Sequence, residues 1–241
     1  MTRLSVNVNK VATLRNARGG NLPDVVRFAG DCERFGADGI TVHPRPDERH
    51  ITLRDVYALA PVVKTEFNIE GYPDKRYMDI IRDIRPAQAT LVPDPPHVIT
   101  SNTGWNVIQH MQQLKEITAE IHALGARVSI FLNADIDQVH AARECGTDRI
   151  ELYTGPYAEH YATDRRTAVS AYKAAAHAAH AIGLGVNAGH DLNLQNLSFL
   201  IHELQFVNEV SIGHALISDA LYFGIENTIQ LYKRQLASHQ N

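Results

Sequence analysis

Short apolar runs alternate along this chain with longer segments in which apolar residues recur at the spacing of a helix. The runs are too short to be helices and are typical of buried parallel strands. Strands are predicted at Leu4–Val8, Glu66–Glu70, Gln88–Val92 and Glu209–Ile212. Four more follow glycines at which a helical pattern stops, namely Gly36, Gly125, Gly146 and Gly183. A glycine past a helix end adopts the left-handed conformation without steric cost, so each one marks a return from helix to strand.

The amphipathic segments predict helices at Asp24–Phe35, Thr52–Lys64, Asp74–Arg85, Val107–Leu124, Asp137–Cys145, Asp164–Ile182, Leu194–Leu200 and Ser218–Leu236. Thr52 and Asp55 resemble a capping box in which Asp replaces the usual Glu. The polar stretch after the first strand, which holds Asn9, Lys10, Arg15 and Arg18, is predicted as a loop.

The repeated return from helix to strand implies parallel strands, which need a crossover connection. Eight strand–helix units without a break in composition predict an α/β fold, a single-domain (βα)8 TIM barrel over residues 1–241. A doubly wound open sheet is the alternative. The first strand–helix turn lacks the Gly-rich fingerprint of a dinucleotide site, which favours the barrel.

Composition narrows the range of functions. Hydrophobic residues make up 44% of the chain and charged residues 21%, which is ordinary for a globular protein. The net charge of -4 gives no general case for nucleic-acid binding. No apolar run approaches the roughly 18 residues that span a membrane, and a strand that begins at Leu4 leaves no room for a signal peptide. Cys32 and Cys145 are predicted to be buried free thiols in a reducing cytoplasm.

In a parallel barrel the active site lies at the carboxyl ends of the strands. The predicted strand ends and the loops after them hold Asn7, Asn9, His43, Arg45, His50, Glu70, Thr100, Asn133, Asp135, Glu151, Tyr153, Asn187, His190, Asp191 and His214. Glu151 lies between Ile150 and Leu152, so strand alternation places it on the opposite face. If that face is the barrel interior, Glu151 is a buried carboxylate and a candidate for the site.

Several of these residues also have a structural interpretation. A lone histidine such as His43 can simply end a strand. Glu70 is either shielded by its apolar neighbours, and then needs a partner, or solvated just past the strand. His190 lies in a loop after a glycine, which suits an acid/base group and a surface histidine equally.

Two features indicate a phosphorylated substrate. Gly213 and His214 close the last strand just ahead of the final helix, where barrels commonly bind phosphate through backbone N–H groups and a helix N-terminus. Arg18, Arg45 and His50 add cationic donors near the first two strands, and arginine suits bidentate phosphate contacts.

The same histidines and carboxylate could instead be interpreted as metal ligands, namely His43, Glu70, His190 and His214. They fall on four different predicted strands and lack the short spacing of a ligand pair. We therefore predict neither a metal nor a cofactor.

Ordered blocks of residues point to a known family. They are Asn7-Val8-Asn9, Ala12-Thr13-Leu14-Arg15-Asn16-Ala17-Arg18-Gly19, Gly39-Ile40-Thr41-Val42-His43, Arg49-His50-Ile51, Asn68-Ile69-Glu70, Leu91-Val92-Pro93, Val186-Asn187-Ala188-Gly189-His190 and Ile212-Gly213-His214-Ala215. Together they resemble the pyridoxine 5'-phosphate synthase family, which forms the ring in one route to vitamin B6. The resemblance extends from Leu4 to the final helix.

The resemblance implies a (βα)8 barrel with extra helices, assembled as a homo-octamer in the cytoplasm. It implies a transferase that condenses 1-deoxy-D-xylulose 5-phosphate with 3-amino-2-oxopropyl phosphate, giving pyridoxine 5'-phosphate, inorganic phosphate and water. The partners would be these two small phosphorylated substrates, with no nucleic acid and no membrane.

The resemblance also implies roles for individual residues. His43 and Glu70 would accept protons, His190 would donate one and Glu151 would stabilise a transition state. The residues that would bind the amino-ketone phosphate are Asn7, Arg18, Asp191, Gly213 and His214. Those that would bind the deoxyxylulose phosphate are Asn9, Lys10, Arg45, His50 and Thr100. The chain departs from the family pattern in two places, because Asn9-Lys10 replaces a common Asp-His and Asp191 replaces a common Gly.

The chemistry fits these residue types. A Schiff base between the two substrates needs no enzyme lysine, while dehydration, phosphate loss and ring closure need proton transfers that His and Glu supply. The segment from Pro93 to Trp105 is predicted to be a lid that excludes water from the imine. Two alternatives stay open: a metal-dependent sugar-phosphate isomerase or aldolase on the same fold, and a non-enzymatic phosphometabolite-binding barrel.

Overall fold

Within residues 1–93 and 103–237, which the computed structural model describes, eight parallel strands close into a barrel in chain order. The strands are β1 (Arg3–Asn7), β2 (Gly39–Val42), β3 (Glu66–Gly71), β4 (Gln88–Leu91), β5 (Arg127–Leu132), β6 (Arg149–Tyr153), β7 (Gly185–Gly189) and β8 (Val207–Ile212). The predicted barrel is confirmed, and the open sheet is wrong because β1 also pairs with β8.

The same ranges hold ten helices around the barrel. They are α1 (Asn9–Arg18), α2 (Val25–Arg34), α3 (Leu53–Leu59), α4 (Lys75–Ile84), α5 (Met111–Ala123), α6 (Ile136–Glu144), α7 (Gly155–Ala181), α8 (Leu197–Leu204), α9 (His214–Phe223) and α10 (Ile225–Ala237). Two helices follow β1 and two follow β8, and these pairs supply the extra helices that the resemblance implies.

The loop predicted after β1 is wrong, because α1 begins directly at Asn9. Its buried face includes Val11, Ala12 and Arg15. Two hydrogen bonds of 2.5 and 2.8 Å join the Arg15 guanidinium to the Asp55 carboxylate of α3. The pair neutralises the charge of a buried arginine, so a segment that looks polar along the sequence packs as a helix.

Other helices also differ from their predicted bounds. α5 begins at Met111 rather than at Val107, and α8 spans Leu197–Leu204 rather than Leu194–Leu200. The helix predicted at Ser218–Leu236 is two helices, α9 and α10, which are separated at Gly224 with a φ of +73°. α7 begins at Gly155 rather than at Asp164. Asp164 has non-helical backbone angles, and its side chain accepts a hydrogen bond from the Thr167 backbone N–H. Asp164, the residue predicted to start the helix, therefore caps the second part of one kinked helix, α7.

The capping box predicted at α3 is confirmed. The Thr52 hydroxyl accepts from the Asp55 backbone N–H, and the Asp55 carboxylate accepts from the Thr52 backbone N–H. α3 ends at Leu59, earlier than predicted.

The interior of the barrel is polar, whereas the outer face of its strands is apolar. Outward residues such as Ile40 are fully buried in the apolar core between strands and helices. Inside, the hydroxyls of Ser5 and Thr41 share a hydrogen bond of 2.7 Å. The Asn68 amide donates to Thr41 at 3.3 Å and accepts from Thr90 at 2.9 Å. Barrels more often fill this space with branched apolar residues, so here the interior depends on mutual hydrogen bonding.

A basal charge cluster, made of Glu66, Arg127, Arg149 and Glu209, lies at the end of the barrel where its strands begin. Glu66 pairs with Arg127, and Arg149 Nη1 lies 3.7 Å from Glu209 Oε2. Arg149 also donates to Asn187 Oδ1 at 3.0 Å. Burial, together with a hydrogen bond to Glu66, raises the pKa of Glu209 to about 8. The cluster therefore holds two shielded carboxyls that share a hydrogen bond and lie against two arginines.

Both cysteines are buried and free, as predicted. Burial raises the pKa of the Cys145 thiol to about 11, and that of Cys32 further still. A high thiol pKa makes both poor nucleophiles. In the ranges that the structure describes, no helix is long and apolar enough to cross a membrane.

Candidate active site

A cavity of about 750 Å³ opens where the strands end and α1 and α9 begin. Of the predicted site residues, the cavity is lined by Asn7, Asn9, Lys10, His43, Arg45, His50, Glu70, Glu151, Tyr153, His190, Asp191, Gly213 and His214. Residues that are far apart in sequence are therefore brought together at the predicted end of the barrel.

Other candidates lie elsewhere. Arg18 is exposed at the end of α1, and it is not among the residues that line this cavity. Asn187 accepts from Arg149 inside the barrel, while Asp135 caps α6. Asn133 lines a neighbouring cavity. Thr100 and most of the predicted lid, Pro93–Trp105, lie outside the described residues.

His43 and Glu70 face each other across the ends of β2 and β3. Their side chains are only 11% and 13% exposed, and His43 Nδ1 lies 4.0 Å from Glu70 Oε2. Burial is the main cause that lowers the pKa of His43 to about 3, and the charge of Arg45 adds to it. His43 is therefore a neutral imidazole near neutral pH, which is the form that can accept a proton. The shielded interpretation of Glu70 is the one that the structure supports.

Asn9 fixes the backbone that carries His43. Its side-chain oxygen accepts a hydrogen bond of 3.0 Å from the His43 backbone N–H. Its own backbone N–H donates to Asn7 Oδ1 at 3.0 Å. An aspartate at this position would offer the same acceptor, so the amide of Asn9 makes this contact without adding a charge.

Lys10, Arg45 and His50 line the same part of the cavity. The His50 Nδ1 accepts from the Ile51 backbone N–H at 2.9 Å, so Nε2 carries the proton and is left to donate. Burial, with further effects from Arg45 and Lys10, lowers the pKa of His50 to about 4. The expectation that His50 is cationic is therefore wrong: it is a neutral donor between two fixed cations.

Glu151 faces the barrel interior, as alternation suggested, and is 3% exposed. Its Oε2 has no hydrogen-bond partner among the described residues. Its Oε1 packs against Gly189 so closely that any side chain there would collide with it. Burial, and then the charge of Glu70, raise the pKa of Glu151 well above its usual range. Glu151 is therefore a neutral acid that can donate a proton or a hydrogen bond.

His190 and Asp191 form a turn with left-handed backbone angles, φ +86° and +57°. His190 Nδ1 lies 2.8 Å from Asp191 Oδ2. The Tyr153 ring packs edge-on against the imidazole, with centroids 5.0 Å apart. The Thr154 hydroxyl donates to the backbone oxygens of Gly189 and His190. His190 is thus fixed by a hydrogen bond to its backbone oxygen and by the contacts of its ring with Asp191 and Tyr153.

Gly213 and His214 begin α9, so the first backbone N–H groups of this helix have no partner within it. Gly213, His214 and Ala215 all line the cavity. A side chain at Gly213 would approach Asn7 to 3.2 Å, so a glycine lets β1 and β8 lie close together here. The arrangement supplies an anion site at a helix N-terminus.

The sequence analysis did not identify Phe131, Glu159, Leu192, Asn193 and Ser211, which also line the cavity. Glu159 lies in the part of α7 that precedes the predicted start. An earlier start for α7 would have placed it just after β6, at the correct end of the barrel.

A closed parallel barrel that gathers histidines, carboxylates and cations in one cavity at its strand ends defines a (βα)8-barrel enzyme. Solved structures share this architecture. KGPDC from Streptococcus mutans aligns over 100% of both chains with 10% identity and a TM-score of 0.67. A thiamine phosphate pyrophosphorylase from Pyrococcus furiosus aligns over 99% of this chain and 97% of its own, with 13% identity and a TM-score of 0.65. At these identities the likeness shows the fold alone.

Sequence relatives are much more similar. The family described as "Pyridoxal phosphate biosynthesis protein PdxJ" matches residues 4–238. The pyridoxine 5'-phosphate synthase of Porphyromonas gingivalis is 61% identical over 98% of this chain and 100% of its own length. That of Parabacteroides distasonis is 57% identical over 99% and 100%. The chain belongs to the PdxJ family of pyridoxine 5'-phosphate synthases, which confirms the resemblance predicted from its motifs.

Proposed function

We propose that this enzyme condenses 1-deoxy-D-xylulose 5-phosphate with 3-amino-2-oxopropyl phosphate to form pyridoxine 5'-phosphate, inorganic phosphate and water. The observation that carries the proposal is one cavity that combines a helix N-terminus for an anion, a separate cationic wall and four acid/base groups. Membership of the PdxJ family supports it independently.

Two anchors hold the two phosphorylated substrates. The amino-ketone phosphate binds at Gly213 and His214, where the N–H groups of α9 attract a phosphate. The deoxyxylulose phosphate binds at Lys10, Arg45 and His50. Anchoring both substrates turns the condensation into an effectively intramolecular reaction.

The acid/base groups divide into acceptors and donors. The neutral imidazole of His43 and the carboxylate of Glu70 accept protons as the substrate amine attacks the ketone and water is lost. The neutral carboxyl of Glu151 donates a hydrogen bond to developing negative charge. His190 donates a proton from the opposite side of the barrel. The roles of Arg18 and Thr100 in substrate binding stay predictions.

The anion site predicts an experimental result. In a crystal grown with sulfate or phosphate, we expect an anion bound by the backbone N–H groups of Gly213, His214 and Ala215, because helix N-termini attract negative charge. The measurement is the electron density in that pocket. A well-ordered pocket that holds only water would contradict the assignment.

Lys10 is expected to contribute charge to substrate binding rather than a covalent bond, because the Schiff base forms between the substrates. Lys10→Met should mainly raise KM for the deoxyxylulose phosphate and change kcat little, as measured by steady-state kinetics. Lys75→Met is a matched control, since the Lys75 side chain is 88% exposed on α4. Borohydride trapping of a substrate on Lys10 would overturn this role.

The direct test of the proposed function supplies both substrates to the purified protein. Pyridoxine 5'-phosphate and released phosphate are expected, and neither should form when one substrate is omitted. Binding of the substrates without turnover would favour a phosphometabolite-binding barrel. Activity that depends on a metal found in the purified protein, with isomerised or cleaved sugar phosphate as product, would favour the isomerase or aldolase alternative.

We also propose that the enzyme is a cytoplasmic homo-octamer. Leu221, Tyr222 and Phe223 are exposed side by side at the end of α9, and an apolar patch of this kind is typical of a protein interface. Light scattering after gel filtration is expected to give about eight times the mass of one chain. A monomer at micromolar concentration would rule out the octamer without affecting the proposed reaction.

A further inference from the structure

We propose that Asp191 is a positioning residue for His190: its carboxylate holds the imidazole through Nδ1 and thereby presents Nε2 as the proton donor. The inference rests on the proposed function for the direction of proton transfer. It goes beyond the substrate-binding role that the resemblance assigns to Asp191, because a backbone contact at this position would need no side chain.

The contact is direct and is made between adjacent residues of one turn. The distance from His190 Nδ1 to Asp191 Oδ2 is 2.8 Å, which is a charge-assisted hydrogen bond when the imidazole is protonated. The hydrogen bond to His190 is the main cause that lowers the pKa of Asp191. Nδ1 is therefore committed to the carboxylate, and Nε2 is the nitrogen left for the substrate.

The backbone at this position makes an aspartate an unusual choice. Asp191 has a φ of +57°, and left-handed angles strain an ordinary residue, whereas glycine adopts them freely. Aspartate tolerates this conformation better than most residues, and the hydrogen bond to His190 is the contact that offsets the strain.

A second restraint acts on the other side of the ring. The Tyr153 ring meets the His190 ring at an interplanar angle of 79°. The centroid of the Phe131 ring lies 5.5 Å from that of Tyr153. The aromatic pair limits the tilt of the imidazole, and the carboxylate fixes its rotation. Together they determine the direction in which Nε2 points.

This geometry has a defined consequence for proton donation. After Nε2–H has passed to the substrate, the proton on Nδ1 stays hydrogen-bonded, so the neutral tautomer keeps its orientation. The other titratable groups that face this cavity are Lys10, His43, Arg45, His50, Glu70, Glu151, Tyr153, Glu159 and His214. Among them, the charge of His214 also acts on Asp191, so His214 is the second group that a substitution of Asp191 affects.

The test compares Asp191→Gly and Asp191→Asn with the wild type. Glycine keeps the left-handed turn and removes the side chain, while asparagine keeps a neutral acceptor for Nδ1–H. We expect kcat of Asp191→Gly to fall by about 3- to 10-fold with KM changed less than about twofold, the scale of one partly exposed charge contact. Asparagine, which keeps an acceptor for Nδ1–H, should restore most of kcat.

Glu159→Gln is the matched control, because it removes a different carboxylate from the same cavity. Its kcat should fall less than that of Asp191→Gly. A KM increase for the amino-ketone phosphate at constant kcat would overturn the proposal and make Asp191 a substrate ligand.

A measurement without substrates separates this proposal from the proposed function. NMR of labelled histidine, with the His190 signal assigned through His190→Asn, should show the neutral His190 ring with its proton on Nδ1 in the wild type and a larger share of the Nε2–H form in Asp191→Gly. If both proteins show the same tautomer, the proposal is wrong whatever reaction the enzyme catalyses. If the tautomers differ in a protein that makes no pyridoxine 5'-phosphate, the proposed function fails and the pairing stands.

Discussion

Glu70→Gln and His190→Asn should each lower kcat by about 100-fold or more, the usual effect of losing a positioned acid or base. Glu70 lies near the end of β3 and His190 follows β7, on opposite sides of the closed barrel. A substrate between them can lose a proton to one group and gain a proton from the other. Steady-state kinetics on both variants measures the effect.

Substrate binding should change little in the same two variants, because the phosphate anchors at Gly213, His214 and Arg45 remain. Calorimetry with each substrate tests this. Glu120→Gln and His202→Asn are matched controls on exposed helix faces and should keep kcat near that of the wild type. Near-normal kcat with weakened binding in Glu70→Gln or His190→Asn would mean that these residues hold the substrate and that protons move by another route.

Arg149→Met should destabilise the fold by about 3 kcal/mol or more, because it leaves the buried Glu209 and Asn187 side chains without the guanidinium that they contact. The Arg149 side chain is only 11% exposed, lies between Glu66 and Glu209, and donates to Asn187. For a chain of this size the midpoint of thermal unfolding should fall by about 6–12 °C. Differential scanning calorimetry at fixed protein concentration measures the shift.

Arg82→Met is the control for the loss of stability expected in Arg149→Met. Arg82 pairs with Asp79 and Glu120 at the surface, with its side chain 49% exposed. Exposed pairs contribute about 0–1 kcal/mol, so its midpoint should stay within a few degrees of the wild type. If Arg149→Met behaves like Arg82→Met, the basal charge cluster does not stabilise the barrel.

Arg15 illustrates how a sequence prediction can identify the right region and assign the wrong structure. The polar stretch after β1 was correctly placed at the active-site end, but its interpretation as a loop was wrong. Helical burial of Arg15 depends on Asp55, which is 40 residues away and supplies the opposite charge. No local pattern indicates which carboxylate will meet which arginine.

The candidate site was also predicted correctly in part and wrongly in part. The alternation of residues along β6 correctly predicted that Glu151 faces the barrel interior. The order of the strands predicted that His43, Glu70 and His190 lie at one end of the barrel. Only the packed structure shows that His50 is neutral, because burial among Arg45 and Lys10 lowers its pKa. Exposure and neighbouring charge set that property, and both come from residues outside the local segment.

The sequence by itself determined the class of fold, the end of the barrel that holds the site, and the family, because these depend on periodicity, glycine positions and motifs that are local in the chain. The tertiary structure alone decided the partners: Arg15 with Asp55, Asn9 with the backbone of His43, and Arg149 with Asn187. It also decided that Arg18 lies outside the cavity of its own chain. Closure of the barrel brings distant strands within hydrogen-bond distance, and the energies of such contacts depend on geometry that no short segment specifies.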